Sequence, residues 1–373
     1  MTLPTRSPQA RRLFLLSALS AVALTGCATA SRILRPSSGG VPTKQQNEVA
    51  LLAPLTGEDA ILGQSLANAA RLALADMNNS SLQLTIYNTA EGGAAAATDR
   101  ALGNGARLIL GPLLSDQVRA VAPIARAARV PVLAFSNDET AAGGGTYILG
   151  FVPSQAVDRV VSHARAAGAV SFAALSPENI YGRRASQGLL FAVQRAGGQV
   201  IGVESYSDLP SARSAARRLN SRRVLAAVLL ADGGRTAGTL AQQFRPGIRI
   251  LGTDVWAGDR MLGRTARLRG AWYAAPTDIR FGQFAGRYKA RYGATPPRLA
   301  SIGYDAMLLT IRASREWRPG RRFPVNALGD DEGFLGVDGV FRFNRQGVAE
   351  RGLEVRQVTA SGYSVVSPAP TSF

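Results

Sequence analysis

The chain has 373 residues, 46% hydrophobic and 18% charged, which is enough for a large buried core and two or three domains. Beyond the N-terminal segment, no apolar run approaches the roughly 18 residues that a membrane span needs. The formal net charge is +18, and only two of the 43 basic residues are lysines, with no long basic run. We expect no nucleic-acid partner. The charge indicates either weak attraction to anionic lipid or peptidoglycan, or a compositional bias towards arginine.

Residues 1–26 have the pattern of a lipoprotein signal peptide. A basic region precedes an apolar stretch, Leu13–Leu24, which is too short to span a membrane comfortably. Small residues then lead to Cys27, the only cysteine, as in a bacterial lipobox. We expect a lipid anchor on Cys27 and a periplasmic location. An ordinary or twin-arginine signal peptide is the alternative. Ala28, in place of aspartate, resembles the sorting pattern for the outer membrane.

Residues 27–46 are rich in Ser, Pro and Gly and predict a flexible tether. Short apolar runs and helical patterns then alternate. Strands are predicted at 49–52, 82–87, 108–110 and 132–135, and helices at 60–78, 94–103 and 115–128. Because these strands are apolar throughout, they favour a parallel sheet covered on both faces.

The same alternation restarts near residue 155. Helices are predicted at 155–167, 181–196, 211–219 and 236–244, and strands at 172–175, 200–206, 226–230 and 248–251. A further extended segment at 272–274, two helices at 281–292 and 301–314, and alternating residues such as 340–343 complete the chain. The alternation at 340–343 predicts antiparallel strands.

The fold class that follows is α/β, with two doubly wound parallel-sheet lobes. The predicted division gives lobe 1 residues 47–151 and 276–325, and lobe 2 residues 152–275 and 326–373. Crossovers between the lobes are expected near 151–155, 271–276 and 325–338. Hinges of this kind open and close a ligand cleft.

Catalytic and cofactor motifs are missing from the sequence. His163 is the only histidine and lies within a helical pattern, so Ser-His-Asp and Cys-His catalysis lose support. There is no zinc-ligand spacing, no phosphate-binding glycine motif and no S-x-x-K. We predict a non-enzymatic protein without metal or cofactor.

The candidate binding residues follow the carboxyl ends of predicted strands, where open α/β sheets bind ligands. They are Ser115, Asn137, Asp138, Tyr181 and Asp254. Each has a simpler alternative role. Ser115 is equally suited to cap the helix that follows it. The two aspartates are suited to cap turns, and Tyr181 is suited to packing alone.

Taken in order, several motifs resemble the leucine/isoleucine/valine-binding protein family, which has the type I periplasmic binding fold. They are Ala53-Pro54-Leu55-Thr56-Gly57, Gly111-Pro112-x-x-Ser115, Val121-Ala122-Pro123-Ile124-Ala125, Tyr181-Gly182, Gly303-Tyr304-Asp305-Ala306 and Phe341-x-Phe343-x-x-x-Gly347. The resemblance extends from Glu48 to about Val358. It implies two lobes with a ligand cleft between them.

The resemblance also implies roles for the candidate residues. Ser115 and the Asn137–Asp138 positions receive an amino acid's carboxylate, Tyr181 contacts the ligand, and Asp254 pairs with its amino group. Asp138 departs from the family, which has a Ser or Thr hydroxyl there. A ligand carboxylate at about 4 Å from it meets repulsion of about 4 kcal/mol at an effective dielectric near 20.

The stretch Leu133–Asp138, together with the lipobox, is more similar to the penicillin-binding protein activators. That similarity implies a lipoprotein that regulates peptidoglycan synthesis by contacting a cell-wall synthase. The alternative is the substrate-binding component of an ABC importer for amino acids or related small polar solutes, partnered by the importer's membrane subunits.

Overall fold

The computed structural model describes residues 46–259 and 261–373. The predicted signal peptide, the lipidation site Cys27, Ala28 and nearly all of the tether lie outside the described residues. All described residues fall within one compact unit of the chain. No helix among them has the length and apolar character needed to cross a membrane.

The elements alternate along the chain as the sequence predicts, and most bounds agree within two residues. The strands are β1 (Asn47–Ala53), β2 (Leu82–Asn88), β3 (Leu108–Leu110), β4 (Val132–Ala134), β5 (Thr146–Ile148), β6 (Ser171–Pro177), β7 (Gln199–Tyr206), β8 (Ala227–Leu230), β9 (Arg249–Gly252), β10 (Trp272–Ala275), β11 (Phe334–Gly336), β12 (Gly339–Phe343), β13 (Ala349–Arg351), β14 (Glu354–Thr359) and β15 (Gly362–Ser367). The helices are α1 (Ala60–Asp76), α2 (Gly93–Gly103), α3 (Ser115–Ala128), α4 (Pro153–Ala166), α5 (Ile180–Arg195), α6 (Leu209–Asn220), α7 (Gly234–Ala241), α8 (Ile279–Tyr292) and α9 (Ala300–Ala313).

Lobe 1 is built on a five-stranded sheet in the order β2-β1-β3-β4-β5, with every neighbouring pair parallel. Apolar residues of α1, α8 and α9 cover one face, and those of α2 and α3 cover the other. Because both faces are covered, the strands are buried on both sides, as in Leu51 and Leu52, which are both 0% exposed.

Lobe 2 is built on a seven-stranded sheet in the order β15-β14-β10-β9-β8-β6-β7. Helices α4 and α5 pack on one face, and α6 and α7 on the other. Strands β6 to β10 pair in parallel, whereas β14 and β15 are antiparallel additions at one edge. The predicted α/β class with two doubly wound lobes is therefore confirmed.

We assign the passages between the lobes to residues 149–152, 276–278 and 352–353, from the sheets that the flanking strands join. The third passage lies later than the 325–338 predicted from sequence. Leu328, Phe334 and Phe341 belong to the core of lobe 1, so residues 326–351 pack with lobe 1 rather than lobe 2. Strands β11, β12 and β13 form the predicted antiparallel tail there.

Helices α1 and α9 pack against each other closely in lobe 1. A Cβ atom added to Gly303 of α9 would lie 2.3 Å from the backbone oxygen of Leu66 in α1. Glycine is therefore required at this position because two backbones approach each other, which is the physical basis of the glycine in the Gly303-Tyr304-Asp305-Ala306 motif.

Candidate functional site

Asp138 lies just after β4, at the carboxyl edge of the lobe 1 sheet, and is 1% exposed. Its Oδ2 accepts a hydrogen bond from Nη1 of Arg119 at 2.8 Å, and its Oδ1 accepts from Nη2 of Arg184 at 2.7 Å. Thr140 donates to Oδ1 through its backbone N–H and its hydroxyl, at 3.1 and 2.6 Å. We call these four residues the Asp138 cluster.

The Asp138 cluster joins the two lobes. Arg119 lies in α3 of lobe 1, whereas Arg184 lies in the first turns of α5 in lobe 2. Burial pushes the pKa of Asp138 upward. Hydrogen bonds from Thr140 and Arg119, together with the charge of Arg184, outweigh that effect, so the pKa of Asp138 lies below its ordinary value. Asp138 is therefore a carboxylate in the folded protein, and a charged pair holds lobe 1 to lobe 2.

Ser115 is the first residue of α3, after Leu114 at the N-cap, and no side chain caps this helix. The simpler role of Ser115 as an N-cap is therefore wrong. Its hydroxyl instead accepts a hydrogen bond at 3.2 Å from Nη2 of Arg119, one helical turn later. Asp138 does cap a turn, the short 3-10 helix Glu139–Ala141. Asn137 is exposed and its side chain makes no hydrogen bond within the described part of the chain.

Tyr181 and Asp254 form a second group, in lobe 2. The Tyr181 hydroxyl donates to the Thr253 hydroxyl at 2.6 Å and contacts Oδ1 of Asp254 at 3.3 Å. Burial raises the pKa of Asp254 to about 6, against only partial lowering by its hydrogen bonds. Burial and the nearby Asp254 charge raise the pKa of Tyr181, so its hydroxyl stays protonated and remains a donor. We call Tyr181, Thr253 and Asp254 the Asp254 site.

The five predicted residues therefore fall into two groups at the carboxyl ends of the two sheets. No contact within the described part of the chain joins Ser115 to Asp254. Arg184, three residues after Tyr181 on the same face of α5, connects the second group to Asp138 across the lobes. Sequence reasoning missed both Arg119 and Arg184. The available signal was their spacing, one turn beyond Ser115 and Tyr181 respectively.

A cavity of about 800 Å³ lies beside the first and third passages and is lined by residues of both lobes. None of the five predicted residues lines it. Arg351 does, and its Nη2 donates to the backbone oxygen of Leu149 at the first passage. Glu139 and Ser154, which also line it, form a hydrogen bond of 3.0 Å between the lobes. This cavity therefore lies at the junction of the lobes, apart from the five predicted residues.

His163 packs in lobe 2, with its ring centroid 4.6 Å from that of Trp272. Burial, followed by the charges of Arg159 and Arg249, lowers its pKa. No acidic or nucleophilic partner of His163 occurs among the described residues. Within 46–259 and 261–373, no cluster of three or more His, Cys, Asp or Glu side chains is placed to hold a metal.

The comparison with known families gives a clear match. A family model described as periplasmic binding protein matches residues 47–362, which is most of the chain and both lobes. The chain belongs to the periplasmic binding protein family. Among curated proteins, this periplasmic binding protein is 26% identical over 170 residues to an uncharacterized protein, RP748, of Rickettsia prowazekii. That match spans 45% of this chain and 46% of the relative, about half of each.

Solved structures share the fold at low sequence identity. A leucine-binding protein, LivK, from Thermotoga maritima is 20% identical with a TM-score of 0.65, covering 87% of this chain and 98% of that one. Full-length LpoA from Haemophilus influenzae is 18% identical with a TM-score of 0.66, covering 87% of this chain and 59% of that one. The resemblance to the leucine-binding fold is confirmed, and at these identities the likeness concerns fold alone.

Proposed function

We propose that this periplasmic binding protein is a lipid-anchored regulator that contacts a cell-wall synthase and carries no free amino acid. The observation behind the proposal is the Asp138 cluster. Both carboxylate oxygens of Asp138 are bound, one by an arginine from each lobe. A protein carboxylate thus lies where the resemblance implies that a ligand's carboxylate is received, and it links the two lobes without a ligand.

Three further features support this proposal. The lipobox at Cys27 and the following Ala28 favour anchorage at the outer membrane, on the periplasmic side, and both lie outside the described residues. The stretch Leu133–Asp138 resembles the penicillin-binding protein activators. LpoA shares the fold over 87% of this chain. With no catalytic set of residues found in the sequence or the described structure, we propose that the protein has no enzymatic activity and needs no cofactor.

The experiment is a capture assay with a chemically defined partner. The full lipidated chain, solubilised in detergent, is immobilised and exposed to envelope extract labelled with a fluorescent penicillin, which marks synthases covalently. We expect labelled synthases to be retained and, once purified, to polymerise peptidoglycan faster when the chain is added. Recovery of importer membrane subunits without any labelled synthase contradicts the proposal.

The Asp254 site favours a second candidate function, the substrate-binding component of an importer. Asp254 has a pKa raised to about 6, and its side chain contacts the neutral Tyr181 hydroxyl rather than a basic group of the described residues, so its carboxylate suits the amino group of a small polar ligand. Thermal unfolding of residues 28–373 in a broad set of amino acids and related solutes tests this.

For this second function, a true ligand at about 100 times its Kd adds about 2.7 kcal/mol of stability. Asp254→Asn removes that gain, whereas Arg107→Gln, a change at an exposed lobe 1 residue, preserves it. No stabilisation by any solute in the set excludes the importer function.

A further inference from the structure

Lobe 2 contains a basic pocket at the sheet edge opposite the Asp254 site. The pocket has a volume of about 180 Å³ and is lined by Arg249, Arg267 and Arg269 together with their neighbours in 247–250 and 269–271. Arg249 begins β9, whereas Asp254 follows the carboxyl end of that strand. The basic pocket is therefore separate from both the Asp138 cluster and the Asp254 site.

The three arginines are held in place by neutral groups. Nη1 of Arg249 donates to the Gly270 oxygen at 2.6 Å, and its guanidinium lies 4.0 Å from the Trp272 ring centroid. Arg267 donates to three backbone oxygens, including that of Ile248 at 3.0 Å. Nε of Arg269 donates to a backbone oxygen at 2.9 Å. None of the three forms an ion pair within the described part of the chain.

Their charges are therefore uncompensated, and some of their donors remain free. A guanidinium has five N–H donors in a planar fork. In Arg269 only Nε is bound, and in Arg249 only Nη1. Burial, followed by the charge of Arg249, lowers the pKa of Arg267. Burial also lowers the pKa of His163, and the charges of Arg159 and Arg249 act in the same direction. The positive potential of the basic pocket thus reaches its neighbours.

We propose that the basic pocket binds a phosphate group. Three arginines that line one pocket match an anion with several oxygens and more than one charge, and the planar guanidinium forks allow two-pronged contact. A single carboxylate offers fewer acceptors and less charge, so it binds more weakly. The phosphate comes from one of two sources, an anionic phospholipid headgroup or a free phosphate compound. This assignment also gives a role to part of the large positive charge noted in the sequence.

The first arm of the test uses inorganic phosphate with residues 28–373, at low salt because screening weakens such contacts. We expect phosphate to raise the melting temperature and to change the fluorescence of Trp272, and acetate to act more weakly. Arg269→Gln, a change at an exposed side chain, weakens phosphate binding about tenfold or more. Arg249→Gln does the same. Arg107→Gln and Arg280→Gln, exposed lobe 1 residues outside any ion pair of the described structure, leave it unchanged.

The second arm separates the two sources. The same proteins are sedimented with vesicles of equal parts phosphatidylglycerol and phosphatidylcholine, or of phosphatidylcholine alone. If the protein binds the anionic vesicles and Arg269→Gln abolishes that binding, the source of the phosphate is a phospholipid headgroup. If the protein binds phosphate but not the vesicles, the source is a free phosphate compound. No response to phosphate, or equal losses in Arg269→Gln and Arg107→Gln, overturns the proposal, because general surface charge then explains any attraction.

Discussion

Removing the guanidinium of Arg184 weakens the link between the lobes. Arg184→Gln deletes a 2.7 Å charged hydrogen bond to Asp138, which is 1% exposed, while the arginine side chain itself is 24% exposed. Hydrogen bonds to charged groups contribute about 1.5–3 kcal/mol. Because Asp138 keeps Arg119 and Thr140, the loss stays below the roughly 3–5 kcal/mol of a fully orphaned buried charge. We therefore expect Arg184→Gln to lower the free energy of unfolding by about 1.5–3 kcal/mol.

A double-mutant cycle with Asp138→Asn isolates the interaction between the two side chains. Arg195→Gln is the matched control, since its 3.3 Å pair with Asp158 lies within lobe 2 at 68% and 35% exposure. Such an exposed pair contributes less than about 1 kcal/mol. Urea unfolding gives the energies, and small-angle X-ray scattering shows whether Arg184→Gln alone enlarges the radius of gyration. A coupling no larger than the control's, with an unchanged radius, refutes the role of Arg184 in joining the lobes.

Three other outcomes are expected from single features. The folded-state pKa of Asp254 is raised from 3.8 to about 6. The folded protein therefore favours the protonated carboxyl, and its stability falls as the pH rises from about 4 to about 6. In urea unfolding, the stability of Asp254→Asn relative to the native protein should therefore rise by about 3 kcal/mol between acidic and neutral pH, and an equal difference at both pH values contradicts this. The pH dependence due to Asp138 has the opposite sign. Because its pKa is lowered in the folded protein, its charge stabilises the fold at any pH above the ordinary pKa of an aspartate. The native protein should therefore lose stability relative to Asp138→Asn only as the medium becomes strongly acidic. Gly303→Ala should lower the free energy of unfolding by about 1–3 kcal/mol, because the added methyl group overpacks the contact with α1. Gly286→Ala, at an exposed position of α8, is the control and should raise the free energy of unfolding by about 0.5–1 kcal/mol. Equal melting temperatures for the two variants argue against the close approach of α1 and α9.

The element pattern was accessible from sequence because most strands are short apolar runs separated by amphipathic helices. Strand Leu108–Leu110 and helix Ser115–Ala128 have the predicted bounds. The third passage was misplaced for a physical reason. Residues 326–351 are apolar at positions such as Leu328 and Phe341, and an apolar pattern identifies a buried face without specifying which lobe buries it.

The site was accessible only in part. The rule that ligands lie beyond the carboxyl ends of strands located Asp138 and Asp254 at the edges of their sheets. It did not reveal that Asp138 already has partners. In a chain rich in arginine, the one-turn spacing of Arg119 and Arg184 from Ser115 and Tyr181 is too common to single them out. Likewise, the basic pocket depends on residues from two segments, 247–250 and 267–271, that only the fold brings together.

The order of the elements has a consequence for how the chain is made. Leu66 of α1 packs against the backbone of Gly303 in α9. Helix α1 is near the start of lobe 1, whereas α9 is synthesised only after the helices and parallel strands of lobe 2. The core of lobe 1 is therefore complete only after α9 has been synthesised, unlike a domain that is contiguous in sequence and can fold while the rest of the chain emerges. A chain truncated before α9 leaves the apolar face of α1 exposed. Truncation late in the sequence therefore destabilises the N-terminal part of lobe 1.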